Sequence, residues 1–306
     1  MHWRYRSITL LCCALVLTSV ACKKRAKWEK GKKVAHLALR AKVGTLDPIR
    51  SSSSYDSEVQ AQIYEGLYTY KYLVRPYELE PALAKSLPQV SEDGLTYTID
   101  IREGVLFQDN ECFEGGKGRE LVANDFVYSF KRMADDQNQP TGWWIFTDRI
   151  VGFDAFEKRM SARGEGPFDW DADIEGIQAP SKYQLQIKLV RPFPQLLYVL
   201  AMSYAFAVPR ECAEYYGKRF TNIAVGTGPF MLREWTRGSR FILDKNPNYR
   251  DVFYPSEASP EYQHMLADKG KKVPFLDAIV YHVYEQDQPM WLKFRVRDLD
   301  TVSYTH

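Results

Sequence analysis

The spacing of apolar positions changes several times along the chain, and each change marks an element. From Val34 the run VAHLALRA predicts a strand, while Val59, Ile63, Leu67 and Tyr70 fall at helical spacing within residues 57–70. Between them, residues 47–55 (DPIRSSSSY) read as a polar loop punctuated by Pro48. The turn signal Asp93-Gly94 precedes LTYTIDI at 95–101, whose alternation predicts a half-buried strand. Arg102-Glu103-Gly104 then turns the chain so that Val105 and Phe107 come back beneath the sheet, and residues 109–120 make a glycine-rich excursion. Phe126, Val127, Phe130, Met133 and Ala134 line one face of an amphipathic helix that ends near Asp135.

Further on, Tyr183, Leu185, Ile187 and Leu189 alternate in a second half-buried strand. Leu196–Met202 is a short buried helix by composition, and Pro209 opens another that Gly217 closes. Residues 230–235 and 240–244 read as a hairpin around Arg237-Gly238-Ser239, residues 276–284 as a long strand and residues 289–297 as a final helix. The elements interleave without an internal repeat and without a regular βαβ rhythm. The fold class is therefore mixed α/β, of the α+β kind.

Composition narrows the class of protein. Hydrophobic residues make up 45% of the chain and charged ones 26%, the balance of a globular protein rather than of a disordered or multispan membrane chain. Residues 1–21 read as a removable signal peptide: Arg4 and Arg6 precede an uncharged stretch that is short for a spanning helix. That stretch closes on Thr18-Ser19-Val20-Ala21-Cys22, which resembles a lipoprotein box with small Ala21 before the cysteine that would carry lipid. Ser19 stands where leucine is usual, and ordinary cleavage near Ala21 is the competing reading. Removing 21 residues from 306 leaves 285, which favours two lobes over one large domain. The 41 Lys and Arg fall to 39 with the loss of Arg4 and Arg6, equal to the 39 Asp and Glu, so global charge gives nucleic-acid binding no support.

The charge is unevenly spread. Residues 22–33 hold seven basic side chains and one acid, a tether suited to an anionic membrane surface, although a solvated linker explains the same run. Only Cys112 and Cys212 lie in the body, and the sequence leaves their pairing open. His36, His264 and His282 are scattered and offer no zinc spacing.

Nothing in the sequence points to catalysis. GGKG at 115–118 lacks the serine or threonine after lysine, and the preceding apolar strand, of a phosphate loop. Gly226-Thr227-Gly228 runs into Pro229, which removes a backbone donor from any anion-binding helix start. Neither a G-x-S-x-G elbow nor H-E-x-x-H occurs, and Asp135-Asp136 or Asp169, Asp171 and Asp173 read as solvated loop charge. No catalytic residue, metal ligand or cofactor is expected.

Eight segments in order resemble the bacterial extracellular solute-binding proteins of family 5, the peptide, dipeptide and nickel receptors of ABC importers. They are TLDP (45–48), YEGLYTY (64–70), PALAKSL (81–87), SEDGLTYTIDIREGVLFQD (91–109), ANDFVYSFKRM (123–133), RPFP (191–194), VGTGPFML (225–232) and KNPNY (245–249). The resemblance implies a periplasmic-binding-protein-like clamshell that closes on ligand between two lobes. It implies a non-enzymatic, monomeric oligopeptide receptor, held outside the cytoplasmic membrane by lipid at Cys22 and delivering cargo to ABC permease subunits driven by separate ATPases. Haem, nickel chelate or oligosaccharide are the alternative ligands within the family.

Peptide receptors of this kind hold the ligand main chain in the manner of strand addition, which tolerates varied side chains. By position, the resemblance assigns Ser52, Ser53 and Ser54 to the ligand backbone, with a solvated loop as the competing reading. It sets Trp143 and Trp144 in the cleft wall, one of the pair being core, and Tyr204, Gly226, Thr227 and Gly228 at the cleft border. Residues 34–285 correspond to the first lobe and 286–306 to the start of the second, with Arg297 and Asp298 departing from a Gly-Glu-like pair. Family members continue through a complete second lobe. A lone first lobe is expected to show an open apolar flank and to bind ligand weakly or, as a non-functional fragment, not at all.

Overall fold

A computed structural model describes residues 26–164 and 166–302 of the chain. The leader at 1–21, Cys22 and the first residues of the basic tether lie outside the described residues. The strands, in chain order, are β1 (Val34–Leu39), β2 (Tyr68–Tyr70), β3 (Leu79–Pro81), β4 (Gln89–Val90), β5 (Thr96–Asp100), β6 (Ile177–Ser181), β7 (Gln184–Lys188), β8 (Phe230–Thr236), β9 (Arg240–Lys245), β10 (Val252–Phe253), β11 (Lys272–Val273) and β12 (Ala278–Val283). The helices are α1 (Ser54–Ile63), α2 (Ala123–Lys131), α3 (Phe153–Ser161), α4 (Leu196–Val199), α5 (Arg210–Tyr216) and α6 (Asp287–Arg295).

Two four-stranded sheets carry the fold. The first has the order β1-β12-β9-β8, with β1 parallel to β12 (Val34 opposite Ala278, Leu39 opposite Val283) and the remaining pairs antiparallel. Because β12 is central, Ala278, Ile279, Val280 and Tyr281 are all buried, and the strand reads as a continuous apolar run. The second sheet, β4-β5-β7-β6, is antiparallel throughout. Here Tyr97 and Ile99 face Ile187 and Leu185 on the buried side, while Thr96, Thr98, Gln184 and Gln186 are half-exposed, so the alternation seen in the sequence is that of a sheet covered on one face. The buried faces of both sheets and the helices over them share one apolar cluster, from Leu39 through Phe107, Phe126 and Phe130 to Tyr281.

The expected helix over 57–70 is corrected to two elements. Its start is set by Ser53, whose hydroxyl accepts from the Asp56 N–H while the Asp56 carboxylate accepts from the Ser53 N–H, a capping box. It stops at Ile63 because the carbonyl that would accept from residue 67 accepts instead from the Gly228 N–H at 2.8 Å. Tyr64 is extended, Leu67 is buried in the connection and β2 begins at Tyr68. A side chain at Gly226 would lie 2.1 Å from that same Ile63 carbonyl, so only glycine lets the two backbones meet.

The helix containing Phe126 and Phe130 ends as expected, passing through a 3-10 turn at Arg132–Ala134 to Asp135. Pro209 is the residue just before α5, and Gly217, with φ of +50°, is its C-cap. Cys112 and Cys212, left open by the sequence, form a disulfide that fastens the glycine-rich excursion to α5. Beyond β12, α6 buries Met290 and exposes Leu292. The chain then returns so that Leu299 is buried and Asp300 brackets His36, donating its N–H to the His36 carbonyl and accepting the His36 N–H on its carboxylate.

Candidate ligand-binding site

Three segments distant in sequence converge on one groove of about 420 Å³, lined by Ser51 to Ser54, Ser57, Met202, Ser203 and Tyr204. Its floor is fixed from below. The 3-10 turn Pro48–Arg50 springs from Asp47, whose carboxylate receives two hydrogen bonds from the Arg132 guanidinium at 2.9 and 2.6 Å. Burial works against the Arg132 charge, yet the adjoining Asp47 carboxylate holds the guanidinium pKa above its ordinary value. Gln60 on α1 donates to the Thr45 and Asp47 carbonyls, and Asp56 accepts from the Gly44, Ser52 and Ser53 N–H groups. The serine loop is thereby anchored by buried partners, while Ser52 and Ser54 themselves stay exposed.

Hydroxyl groups run along the groove. Ser57 shares hydrogen bonds with Ser51 at 3.0 Å and Ser203 at 3.1 Å, and the Tyr204 hydroxyl donates to the Ser51 carbonyl at 2.9 Å. Thr141 donates its N–H to the Ile49 carbonyl and its hydroxyl to the Ser51 carbonyl, which brings the 140–147 segment alongside. Gly142 packs so tightly on the Tyr204 ring that an added methyl would sit 2.5 Å from it. The Ser54 hydroxyl, exposed at the lip, has no hydrogen-bond partner among the described residues.

Trp143 and Trp144 stand beside this groove, 48% and 43% exposed, so the expectation that one is core is corrected. They occupy a 3-10 turn, Trp143–Ile145, in which the third residue points inward: Ile145 and the following Phe146 are fully buried. Trp144 lies edge-on to Tyr204 with ring centroids 6.3 Å apart. Of the residues expected at the ligand, the structure thus brings Ser52, Ser53, Ser54, Trp144 and Tyr204 together. Gly226, Thr227 and Gly228 do not line the groove. They are buried against the end of α1, with the Thr227 hydroxyl donating to Glu65 at 2.9 Å, and Glu65 in turn is paired with Arg250. Ser51, Ser57, Met202 and Ser203 line the groove without a signal of their own in the sequence, since their proximity is set by contacts up to 153 positions apart.

Among the described residues, no three His, Cys, Asp or Glu side chains gather as a metal site, and no helix is long and apolar enough to cross a membrane. The groove is open, with hydroxyl groups along its floor and exposed aromatic rings at one side, on a two-sheet α/β scaffold. Residues 78–306 match the bacterial extracellular solute-binding proteins, family 5, in their middle region, and the chain belongs to that family. Members of this family are solute-binding proteins.

Relatives give the scale of the match. A dipeptide-binding protein of Lactococcus lactis is 26% identical over 239 residues, covering 76% of this chain and 39% of its own length. The dipeptide-binding protein of Escherichia coli is 31% identical over 197 residues, covering 62% of this chain and 33% of its own length. Among solved structures, a periplasmic oligopeptide-binding protein of Borrelia burgdorferi superposes with a TM-score of 0.70 at 23% identity over 88% of this chain and 46% of its own, a likeness of fold. The chain therefore spans between about a third and a half of the length of these proteins.

Proposed function

We propose that this chain contributes one jaw of a peptide-binding subunit that serves an ABC importer, with di- to oligopeptides as ligands. The observation that carries the reading is the Ser51–Ser54 loop, anchored from below by Asp56 and Asp47 and set beside exposed Trp143 and Trp144. The exposed Ser52 and Ser54 hydroxyls offer hydrogen bonds to a ligand main chain, whereas flat indole faces accept varied side chains at little conformational cost. The relatives' own names, dipeptide- and oligopeptide-binding, point the same way. Haem, nickel chelate and oligosaccharide are less well served, because the groove gathers no metal-ligating cluster and its polar groups are spaced along a loop.

In this reading the protein is a receptor and not an enzyme, monomeric, and exported by residues 1–21. Lipid on Cys22 tethers it at the membrane, with the basic stretch to Lys33 lying on anionic lipid. Cargo passes to permease subunits whose ATPases are separate chains. Residues 34–285 form the first lobe, and α6 opens the second.

Tri- to pentapeptides titrated into residues 22–306, with indole N–H resonances followed by NMR, test the proposal. Shifts of Trp143 and Trp144 that saturate weakly, in the millimolar range, are expected, because a single jaw supplies only part of the contact. Trp144→Ala should abolish the shift of the remaining Trp143. Peptides that leave both indoles unmoved, while moving resonances elsewhere or none, overturn the assignment of the groove.

A further inference from the structure

A second cavity, of about 870 Å³, lies between α2 and α5 and shares no lining residue with the serine groove. Asn124, Val127, Tyr128 and Lys131 reach it from one face of α2, at the i, i+3, i+4 and i+7 positions, and Trp170 closes one side. Its charges are almost all answered within the protein. Arg119 is paired with Asp125 and Glu211, Lys182 with Glu120, and Arg210 with Glu214.

Lys131 is the exception. It is 6% exposed, its ammonium donates to the neutral Trp170 carbonyl at 2.9 Å, and no carboxylate lies within 4 Å of it among the described residues. Two of its three N–H bonds remain available. Burial pushes its pKa down, and Asp173, Asp171 and Asp169 answer its charge only from a distance. A part-buried ammonium facing only a neutral acceptor is an arrangement that an incoming carboxylate improves. Tyr128 also lines the cavity; its hydroxyl has no hydrogen-bond partner among the described residues, and its ring packs with Trp170 at 4.8 Å to form an apolar wall.

The rim has the opposite character. Asp171 is 97% exposed with its nearest cation, Arg210, 3.9 Å away, and one Glu214 oxygen is unused by Arg210. With two carboxylates to the one Arg210 guanidinium, this mouth has an acidic excess that disfavours a simple anion and favours an ammonium. We propose that the cavity binds a small zwitterion of the amino-acid class, its carboxylate on Lys131 and Tyr128, its ammonium at Asp171 and Glu214, and its side chain against Trp170.

L-phenylalanine, L-phenylalaninamide and 3-phenylpropionate, titrated calorimetrically into the purified chain, form the test. Phenylalanine should bind once per chain. The amide, lacking the carboxylate, should bind at least about tenfold more weakly, and phenylpropionate, lacking the ammonium, several-fold more weakly. Lys131→Met should lose about tenfold or more, while Trp144→Ala keeps the wild-type affinity and so separates this cavity from the serine groove. If Lys131→Met does not fold, the three probes on the unaltered chain decide the matter alone. Equal affinity for the zwitterion and its amide, full affinity in Lys131→Met, or no phenylalanine binding up to about 10 mM overturns the proposal.

Discussion

Asp47 and Arg132, 85 positions apart, meet in the interior as a bidentate pair with both side chains 4% exposed. The pair ties the turn that begins the serine loop to the end of α2, so the groove's floor depends on it. Removing one partner strands the other charge in a buried setting. Arg132→Met or Asp47→Asn should therefore destabilise the chain by about 3–5 kcal/mol. Replacing both with apolar residues of similar volume should recover much of that loss. Urea unfolding of the single and double variants measures it, and single losses below about 1 kcal/mol would mean the pair is ornamental.

Ser53 and Asp56 separate two jobs in the same loop. Ser53→Ala removes one cap hydrogen bond at the start of α1 and should cost about 1 kcal/mol, with Ser53→Gly costing only a few tenths. Asp56→Ala removes the acceptor of three backbone N–H groups, from Gly44, Ser52 and Ser53, and should cost more, about 2–3 kcal/mol. Thermal unfolding ranks the variants. The reverse order would show that the loop is held by its hydroxyls rather than by the carboxylate.

The contrast between α1 and the second sheet shows what the sequence makes legible. Tyr97, Ile99, Leu185 and Ile187 announce their strands because alternation is a local consequence of one buried face, and β12 announces itself because both faces are covered. The helix over 57–70 fails where a distant residue decides the outcome: Gly228 takes the Ile63 carbonyl, and no local spacing encodes that. The hairpins β2–β3 and β10–β11 are too short to have a period. Of the residues that the resemblance assigned to the ligand, Ser52 to Ser54 and Tyr204 line the groove, Trp144 stands edge-on to Tyr204, and Gly226 to Gly228 lie apart from it, where two backbones touch. The hydroxyl chain through Ser51, Ser57 and Ser203 is assembled only by folding.

Cys112 and Cys212 close a loop of 100 residues that includes α2 and two of the four strands of the second sheet, β6 and β7. Confining the unfolded chain in this way should contribute about 4–5 kcal/mol in the chain-entropy picture. The urea midpoint is expected to fall markedly on reduction with dithiothreitol, and equally in the Cys112→Ala, Cys212→Ala double variant. A reduced protein as stable as the oxidised one would place the loop's ends together in the unfolded state already.

His282 gives the chain an acid-side dependence whose sign follows from its surroundings. On β12 its ring meets His36, with Nε2 3.1 Å from the His36 Nδ1, and pairs in register with Ala38 and Arg240. Burial, then the neighbouring His36 and Arg240, pushes its pKa down to about 4, with Asp298 and Glu29 opposing. An unfolded imidazole titrates near 6.5, so between the two values the unfolded chain binds a proton that the folded chain refuses. Stability from this residue is complete above about pH 6.5, declines as pH falls towards 4, and declines no further below it. Carboxylates titrate near the lower end of that window, so the residue's share is the difference between wild type and His282→Phe. The melting temperature of the wild type should fall more steeply from pH 7 to pH 4.5 than that of the variant. Parallel pH profiles would show that His282 takes up its proton in the folded chain without cost to the strand.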